Sequence, residues 1–426
     1  MKRLSIAICL LFVTILLIHM PASAQGQSAL KAGTAKIDIT PDKPVTMAGY
    51  GSRKGLSTAV HDPLSARVLA FEKGGNRLVL VATDLIGFYS GTADYMRTAI
   101  LKELDLEPGE LFLTAIHTHA GPGLTTDRDR GHANNVEYTE WLRPRLIEAI
   151  GQALDAMEPV NVALGVGSCP IGVNRRELRV NRDGTTSIVL GRNPYGPTDK
   201  EVLVMNVAKA GGALVAVAFD YATHGTSLGG RNYTISGDVL GLAEQFAEKV
   251  LGSAVIVPAF AGASGNIDPW FRVLPAFNTE PGWIPEPVLL GTFLGEEVVH
   301  VCRGIEEPSS ADRIATAFRA LELPAKSDED EAKEAGHRPL NVTVARLGDV
   351  AFVGLGAEVL TEIGMAIKAG SPCRHTFVIT HCNGAASYLV PKELHVEGGY
   401  EVRTSPFAPR AADIVVREAI RMLHDL

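Results

Sequence analysis

The sequence lacks three features that would each assign it to a familiar class of protein. It has no basic tract, and 40 lysines and arginines against 48 aspartates and glutamates give a net charge of −8, which argues against nucleic-acid binding. It has no C-x-x-C pair, so neither a zinc ribbon nor a thioredoxin-like redox site is expected. Beyond its first 24 residues it has no long uncharged apolar run, which predicts no transmembrane segment in the mature chain.

The first residues follow the pattern of an export signal. Lys2 and Arg3 are basic, residues 6–18 are mostly apolar, and Ala22-Ser23-Ala24 matches the small-residue cleavage site of a signal peptide. The apolar run is too short for a good membrane span. We therefore expect a cleaved signal peptide at residues 1–24 and a periplasmic or secreted protein.

Composition and patterning predict one globular domain with mixed sheets. The chain is 46% hydrophobic and 21% charged, without an internal repeat or a long linker, so residues 25–426 are expected to form a single domain. Strand-like and helix-like segments alternate irregularly, which favours an α/β (α+β) fold of mixed β-sheets flanked by helices. Apolar runs predict strands at 67–71, 78–83, 111–119, 162–166, 202–207, 214–221, 254–259, 342–347, 351–355 and 376–380. Helical spacing predicts helices at 92–103, 136–156, 239–251, 291–301, 361–368 and 411–423.

Two of the strand-like runs deliver histidines to glycine-containing turns. Residues 111–119 end in His117-Thr118-His119, and in an extended strand two residues two apart face the same side. His224 follows the apolar run 214–218 in the same way. Neutral imidazoles from several segments are typical metal ligands, and zinc sites draw on such segments. Alone, the H-x-H pair is as consistent with two hydrogen-bonded rings as with a metal site.

Three further segments bear on the same chemistry. The turn after residues 254–259 brings Ser264 and Asp268 together, and its backbone N–H groups are suited to an anion hole, although a plain turn is common there. Glu358 follows the apolar run 351–355, where its carboxylate would complete a two-histidine-plus-carboxylate zinc site. Tyr388 follows the run 376–380 and taken singly is more typical of a structural residue.

Taken together, these segments resemble the catalytic domain of the neutral (alkaline) ceramidases, secreted zinc amidases that cut the N-acyl bond of ceramide. The resemblance is closest at His117-Thr-His119-Ala-Gly-Pro-Gly123, where the family typically reads H-T-H-S-G-P-G-G. It covers essentially the whole mature chain. The other matching segments are Gly33–Pro41, Met47–Tyr50, Thr83–Leu85, Asn174-Arg175, Ala222–Leu228, Ser236–Asp238, Gly356–Glu358, Asn383–Tyr388 and Tyr400-Glu401.

The resemblance implies a neutral-ceramidase-like catalytic domain with Zn²⁺ as its cofactor and a set of site residues. Arg175, His119 and Tyr400 would bind or polarise the scissile group. The zinc ligands that it implies are His117, His224, Glu358 and Tyr388. Tyrosine is an uncommon zinc ligand, so Tyr388 rests on the resemblance alone.

The sequence departs from the family in two places. Asp268 stands where the family has a serine, and an aspartate has no hydroxyl to offer but can accept a proton from an activated water. Ser264, four residues earlier, is a candidate substitute for that serine. The chain ends soon after the tyrosine segment, so we expect the catalytic domain without the family's C-terminal β-sandwich.

Three functions fit these residues. The first is a secreted zinc-dependent hydrolase that cuts an N-acyl bond of a ceramide-like or other small substrate through zinc-activated water. The second is a metal-dependent hydrolase of glycosides or sugar esters, for which Trp270, Phe271, Trp283 and Tyr400 would be aromatic platforms. The third is a non-catalytic binding protein that retains the fold. The expected partner is thus a small-molecule, lipid-amide or carbohydrate substrate.

Overall fold

A computed structural model of the chain describes residues 29–271, 286–309, 311–327 and 334–426. The expected signal peptide and Trp283 lie outside these residues. Among the helices that the structure describes, none is both long and apolar enough to cross a membrane.

Nineteen strands are formed by the described residues, most of them rich in valine, alanine and leucine. They are β1 (Lys31–Asp38), β2 (Ala59–Val60), β3 (Ser65–Lys73), β4 (Asn76–Thr83), β5 (Leu111–Ala115), β6 (Glu158–Ser168), β7 (Gly172–Val180), β8 (Thr186–Asn193), β9 (Glu201–Lys209), β10 (Leu214–Tyr221), β11 (Thr234–Ile235), β12 (Ala259–Ala261), β13 (Ile267–Pro269), β14 (Ile314–Lys326), β15 (Glu334–Leu347), β16 (Val350–Leu355), β17 (Glu358–Val359), β18 (His375–Ile379) and β19 (Tyr388–Leu389).

Helices separate many of these strands. They are α1 (Thr92–Glu103), α2 (Ala133–Asp155), α3 (Asp238–Leu251), α4 (Glu286–Gly304), α5 (Thr361–Gly370), α6 (Tyr400–Thr404) and α7 (Ala411–Asp425), with a 3₁₀ turn at Lys392–Glu397 before α6. The structure is therefore a mixture of strands and helices, which confirms the predicted fold class.

Two large sheets form the centre of the fold. The first has eight strands in the order β12-β10-β9-β6-β1-β3-β4-β5, and the second has four in the order β14-β15-β16-β18. Most pairs are antiparallel, but β4–β5, β10–β12 and β16–β18 are parallel. The two sheets pack face to face, with Phe352 and Phe377 of the second sheet stacked 4.9 Å apart and Phe112 of the first 6.3 Å from Phe352.

Helices cover the outer faces of both sheets. On β3, Ala66, Val68 and Ala70 pack toward α1 and α2, while Leu69 and Phe71 between them pack toward the second sheet. This strand is apolar on both faces because both faces are covered. Helices α3 and α4 pack on β9 and β10, and α5 and α7 pack on the second sheet. The result is four layers in the order helices, sheet, sheet, helices.

The three parallel pairs set the position of the candidate site. The carboxyl ends of parallel neighbours lie at the same edge of a sheet, and ligands commonly bind at such edges. The predicted histidine and carboxylate segments all follow strands of these pairs. His117 and His119 follow β5, His224 follows β10, Asp268 follows β12 and Glu358 follows β16. The two sheets therefore deliver these segments to one place.

Candidate metal centre

His117 lies in a turn rather than in the extended strand that its sequence predicted. Strand β5 ends at Ala115, and the φ angle of His117 is +60°, in the left-handed region that non-glycine residues seldom adopt. The prediction that 111–119 is one strand was therefore wrong, and so was the reason given for the convergence of the two rings. The rings still meet, because the turn after β5 brings His117 Nε2 to 3.2 Å from His119 Nε2.

Backbone carbonyl groups fix the orientation of two imidazoles. Nδ1 of His117 is 2.7 Å from the carbonyl oxygen of Ile86, and Nδ1 of His224 is 2.8 Å from that of Ser264. A carbonyl accepts only from a protonated nitrogen, so Nδ1 carries the hydrogen in both rings. Nε2 of each is left with a lone pair, which is the tautomer that a metal ligand needs.

The surroundings of His119 and His224 lower the pKa of both imidazoles and so favour the neutral rings. Burial, together with the neighbouring His117 and His224, holds the pKa of His119 well below its usual range. Burial and the charge of Arg175 lower the pKa of His224. Ligand nitrogens of His117, His119 and His224 all lie within 4.8 Å of one another, so this cluster could hold a metal ion.

Glu358 adds a carboxylate to the cluster. Its Oε2 is 3.6 Å from His117 Nε2 and 3.7 Å from His224 Nε2, and it is buried without a hydrogen-bond partner among the described residues. Oε1 accepts a hydrogen bond of 2.8 Å from Tyr89.

The donor set fits a divalent metal ion. Metal–ligand bonds of about 2.0–2.2 Å in tetrahedral geometry place ligand atoms about 3.4 Å apart. The carboxylate oxygen of Glu358 lies at nearly this distance, 3.6 and 3.7 Å, from Nε2 of His117 and Nε2 of His224. A buried carboxylate oxygen without a hydrogen bond is costly, and a metal ion would offset that cost.

Tyr388 lies at the border of this cluster. It pairs in register with Glu358 across β17 and β19, and its hydroxyl accepts a hydrogen bond of 2.9 Å from Nη2 of Arg175. Burial raises the pKa of Tyr388 well above its usual range, although Arg175 opposes this effect. The side chain is thus a neutral phenol held beside Glu358, and its role as a ligand stays a prediction.

Arg175 connects the cluster to a network of charged side chains. Its Nε donates to Glu401 at 2.8 Å, and its Nη1 lies 3.2 Å from Asp268 Oδ1 and 3.3 Å from His224 Nε2. Burial alone would lower the pKa of Arg175, but Tyr388, Asp268 and Glu401 keep it well above its usual range. A fixed positive charge therefore stands beside the imidazoles.

Asp268 is fully buried and holds two arginines. Oδ1 accepts from Arg175 at 3.2 Å and Oδ2 accepts from Arg192 at 3.1 Å, while Arg192 Nε donates to the carbonyl oxygen of Trp270. Ser264 is also buried, but its contact with the site is through its carbonyl oxygen, which holds His224. Asp268 and Ser264 therefore both contact the site. Asp268 positions two arginines, and Ser264 positions His224.

Tyr400 stands at the rim. Its side chain is 37% exposed, and its ring lies 5.7 Å from that of Tyr388. The next residue, Glu401, is fully buried and joins Arg175 to Arg176. All nine predicted site residues therefore lie in or against one constellation.

Sequence reasoning missed three members of this constellation. Tyr89 orients Glu358 from the loop after β4, His381 stacks on His117 from the loop after β18, and Arg192 holds Asp268 from β8. Tyr89 and His381 could have been predicted from their positions in the sequence. Each lies in a loop that follows a buried strand, as the predicted histidines do. Nothing in the spacing of β8 pointed to Arg192.

Comparison with known proteins gives a consistent picture. A family model described as neutral/alkaline non-lysosomal ceramidase, N-terminal, matches residues 30–269, more than half of the chain. Neutral ceramidase of Mycobacterium tuberculosis is 29% identical over 262 residues, which are 56% of this chain and 39% of that protein. Neutral ceramidase 1 of Arabidopsis thaliana is 26% identical over 255 residues, 55% of this chain and 31% of that protein. The matched part thus spans less than half the length of these relatives.

Solved structures extend the likeness beyond the matched sequence. The crystal structure of neutral ceramidase from Pseudomonas aeruginosa covers 93% of this chain and 74% of its own, with a TM-score of 0.75 at 18% identity. A ceramidase complexed with C2 superposes with a TM-score of 0.74 at the same identity. At this identity the likeness shows the fold, and it covers most of the chain beyond residue 269, where the family model ends. The chain belongs to the neutral/alkaline non-lysosomal ceramidase family.

Proposed function

We propose that the protein is a zinc-dependent hydrolase that cuts the N-acyl bond of a ceramide-like lipid amide. One observation carries the proposal. Oε2 of Glu358, buried without a hydrogen-bond partner among the described residues, lies 3.6 Å from Nε2 of His117 and 3.7 Å from Nε2 of His224, a spacing that suits one divalent ion. Family membership supports amide hydrolysis as the reaction.

His117, His224 and Glu358 would hold the metal, with Tyr388 as the candidate fourth ligand. A zinc ion bound there would supply Lewis-acid chemistry, polarising an acyl carbonyl and lowering the pKa of a water molecule toward neutrality. Zinc is favoured because imidazole with one carboxylate is its common catalytic ligand set. The ordering contacts from Ile86, Ser264 and Tyr89 support this assignment, since metal ligands are usually oriented by such neighbours.

The remaining residues have roles that follow from their contacts. His119 is neutral and partly exposed, so its ring is suited first to accept a proton and then to pass that proton to the departing amine. The charge of Arg175 and the hydroxyl of Tyr400 are suited to stabilise the oxyanion that develops on the acyl group. Asp268 has both oxygens committed to arginines, which favours a positioning role over proton transfer.

A second candidate keeps the metal and changes the bond to that of a glycoside or a sugar ester. It is favoured by Trp270, which is 37% exposed two residues from Asp268, and by Phe271, which is 55% exposed. Aromatic side chains at the rim would stack on a sugar ring, and they would equally contact a lipid chain. A substrate panel is therefore needed to separate the two candidates.

Product analysis by mass spectrometry tests the proposal. Purified zinc-loaded protein is incubated with a short-chain ceramide, with and without a chelator, beside the matched variant Glu358→Gln. Chelator-sensitive release of the sphingoid base and fatty acid by the wild type, and not by the variant, is the expected result. If zinc is bound and the ceramide stays intact, amide hydrolysis of ceramide is wrong, and glycosides and sugar esters are tried next. Bound zinc without turnover of any substrate would favour a binding protein.

A further inference from the structure

A fourth histidine, His381, packs on His117 but is not one of the three histidines that could hold a metal ion together. Its ring lies face to face with that of His117, with centroids 3.9 Å apart and planes 11° apart. The other imidazole pairs around His117 meet edge to face, at 86° with His119 and 74° with His224. His381 is thus the imidazole that lies parallel to the ring of His117.

The position of His381 carries two costs. Its φ angle is +52°, a left-handed conformation that costs about 1–2 kcal/mol for a residue with a Cβ. It is 1% exposed, and its Nδ1 has no hydrogen-bond partner among the described residues. Nδ1 faces Gly87, where an added Cβ would lie 3.5 Å away. Such costs persist at functional sites when the surrounding structure enforces them.

Hydrogen bonds enforce the position from both sheets. The backbone N–H of His381 donates to Ala357, next to Glu358, and that of Cys382 donates to Leu355 at the end of β16. Asn383 reaches the other sheet, where its Oδ1 accepts from the N–H of Leu113 in β5. The segment 381–383 therefore spans the strands that lead to His117 and to Glu358.

We propose that His381 is a positioning residue, which fixes the ring plane of His117 so that its Nε2 points to the metal. This rests on the proposed role of His117 as a ligand. The hydrogen bond from Nδ1 to Ile86 restrains rotation of the ring about the Cβ–Cγ bond through a single contact at the ring edge. A flat ring packed on the face of the imidazole restrains the same rotation across the whole ring.

Metal affinity tests the proposal apart from activity. The dissociation constant for Zn²⁺ is measured by competition with a chromophoric chelator for the wild type, His381→Leu and His381→Phe. Leucine fills the volume without a flat face and is expected to weaken binding by about tenfold to a hundredfold, as loss of ligand-orienting groups does. Phenylalanine keeps a flat ring and is expected to bind within a few-fold of the wild type. His375→Leu, at the start of β18, the strand that leads to His381, is the matched control and is expected to bind like the wild type.

The outcomes separate this inference from the proposed function. If the wild type binds zinc and His381→Leu binds it equally well, the positioning role is wrong and the metal centre stands. If the wild type binds no metal, both proposals fall. Melting temperatures of the metal-free proteins show whether each variant folds. Should the phenylalanine variant fail to fold, the leucine variant decides alone, and a drop in melting temperature with unchanged zinc affinity would make His381 merely structural.

Discussion

Two buried polar clusters in this protein have opposite hydrogen-bonding patterns. Around Arg67, which is fully buried, Glu244 lies 2.6 Å away, Glu248 2.8 Å and Asp84 3.4 Å. The backbone N–H groups of Ala259, Val257 and Ser65 donate to these three carboxylates. In the candidate metal centre, by contrast, Oε2 of Glu358 has no hydrogen-bond partner in the described part of the chain.

The difference separates a structural network from a binding site. A buried polar group costs free energy unless it is paired, so a cluster with every charge paired can hold a fold together. A cluster that leaves a buried carboxylate oxygen without a donor is stable only if the fold tolerates the cost, and it is then prepared for a cation. Strained backbone at His117 and His381 adds to that cost.

The largest expected effect is on the Arg67 cluster. Arg67→Met removes the cation and leaves three buried carboxylates, so the free energy of unfolding should fall by about 3–5 kcal/mol. Urea unfolding of the metal-free protein measures this. Lys36→Met, which removes a half-exposed partner of Glu248, is the control and should cost about 1 kcal/mol or less. Equal losses in the two variants would show that Arg67 is not the organising charge.

The reverse is expected of the metal centre. Glu358→Gln should weaken zinc binding by about a hundredfold or more, because it removes the anionic ligand, and should leave the stability of the metal-free protein unchanged or slightly higher. Chelator competition and thermal unfolding measure the two effects. Glu362→Gln, a nearby carboxylate that binds Asn266, should retain wild-type zinc affinity. A large loss of metal-free stability in Glu358→Gln would place Glu358 in a structural network like that of Arg67.

A pH-dependent effect is expected at Asp220, which lies between the two sheets. Burial raises its pKa to about 7, against the opposing charge of Lys368. Between about pH 4 and pH 7 the carboxyl group of Asp220 therefore keeps its proton in the folded protein and has lost it in the unfolded chain. The free energy of unfolding then decreases as the pH rises through this range, by at most about 1.4 kcal/mol per pH unit. Asp220→Asn should therefore gain stability relative to the wild type at pH 8 and not at pH 4. Urea unfolding at both values checks this, with exposed Asp42→Asn as the control. A gain of equal size at pH 4 and pH 8 would contradict the raised pKa.

The sequence predicted the buried elements of the fold well. Helix α1 and strand β10 have the predicted bounds. Apolar residues at helical spacing identify a helix with one buried face, and a continuous apolar run identifies a buried strand. Strands β1, β7, β8 and β14 were missed. Their residues are partly exposed and mix charged with small side chains, so their pairing depends on partners distant in the sequence.

The site was predictable as a set of residue types and not as a geometry. Histidines and a carboxylate after apolar runs indicated the ligands, because strand ends at one edge bring distant residues together. The left-handed turn at His117 had no sequence signal, since the N–H groups on either side of it, of Ile116 and Thr118, donate to Thr83 at the end of β4 and to Leu85 just after it. The hydrogen bonds from two arginines to Asp268 could not be predicted either, because Arg192 lies in β8, a strand that the sequence pattern did not predict.

The most direct test is the position of the metal itself. Crystals of the protein purified with zinc would be measured at the zinc absorption edge, where anomalous scattering locates the ion independently of any assumed ligand. The proposed centre predicts one ion within about 2.0–2.3 Å of Nε2 of His117, Nε2 of His224 and a carboxylate oxygen of Glu358. No anomalous peak at these three atoms, or a zinc ion bound elsewhere in the chain, would contradict it.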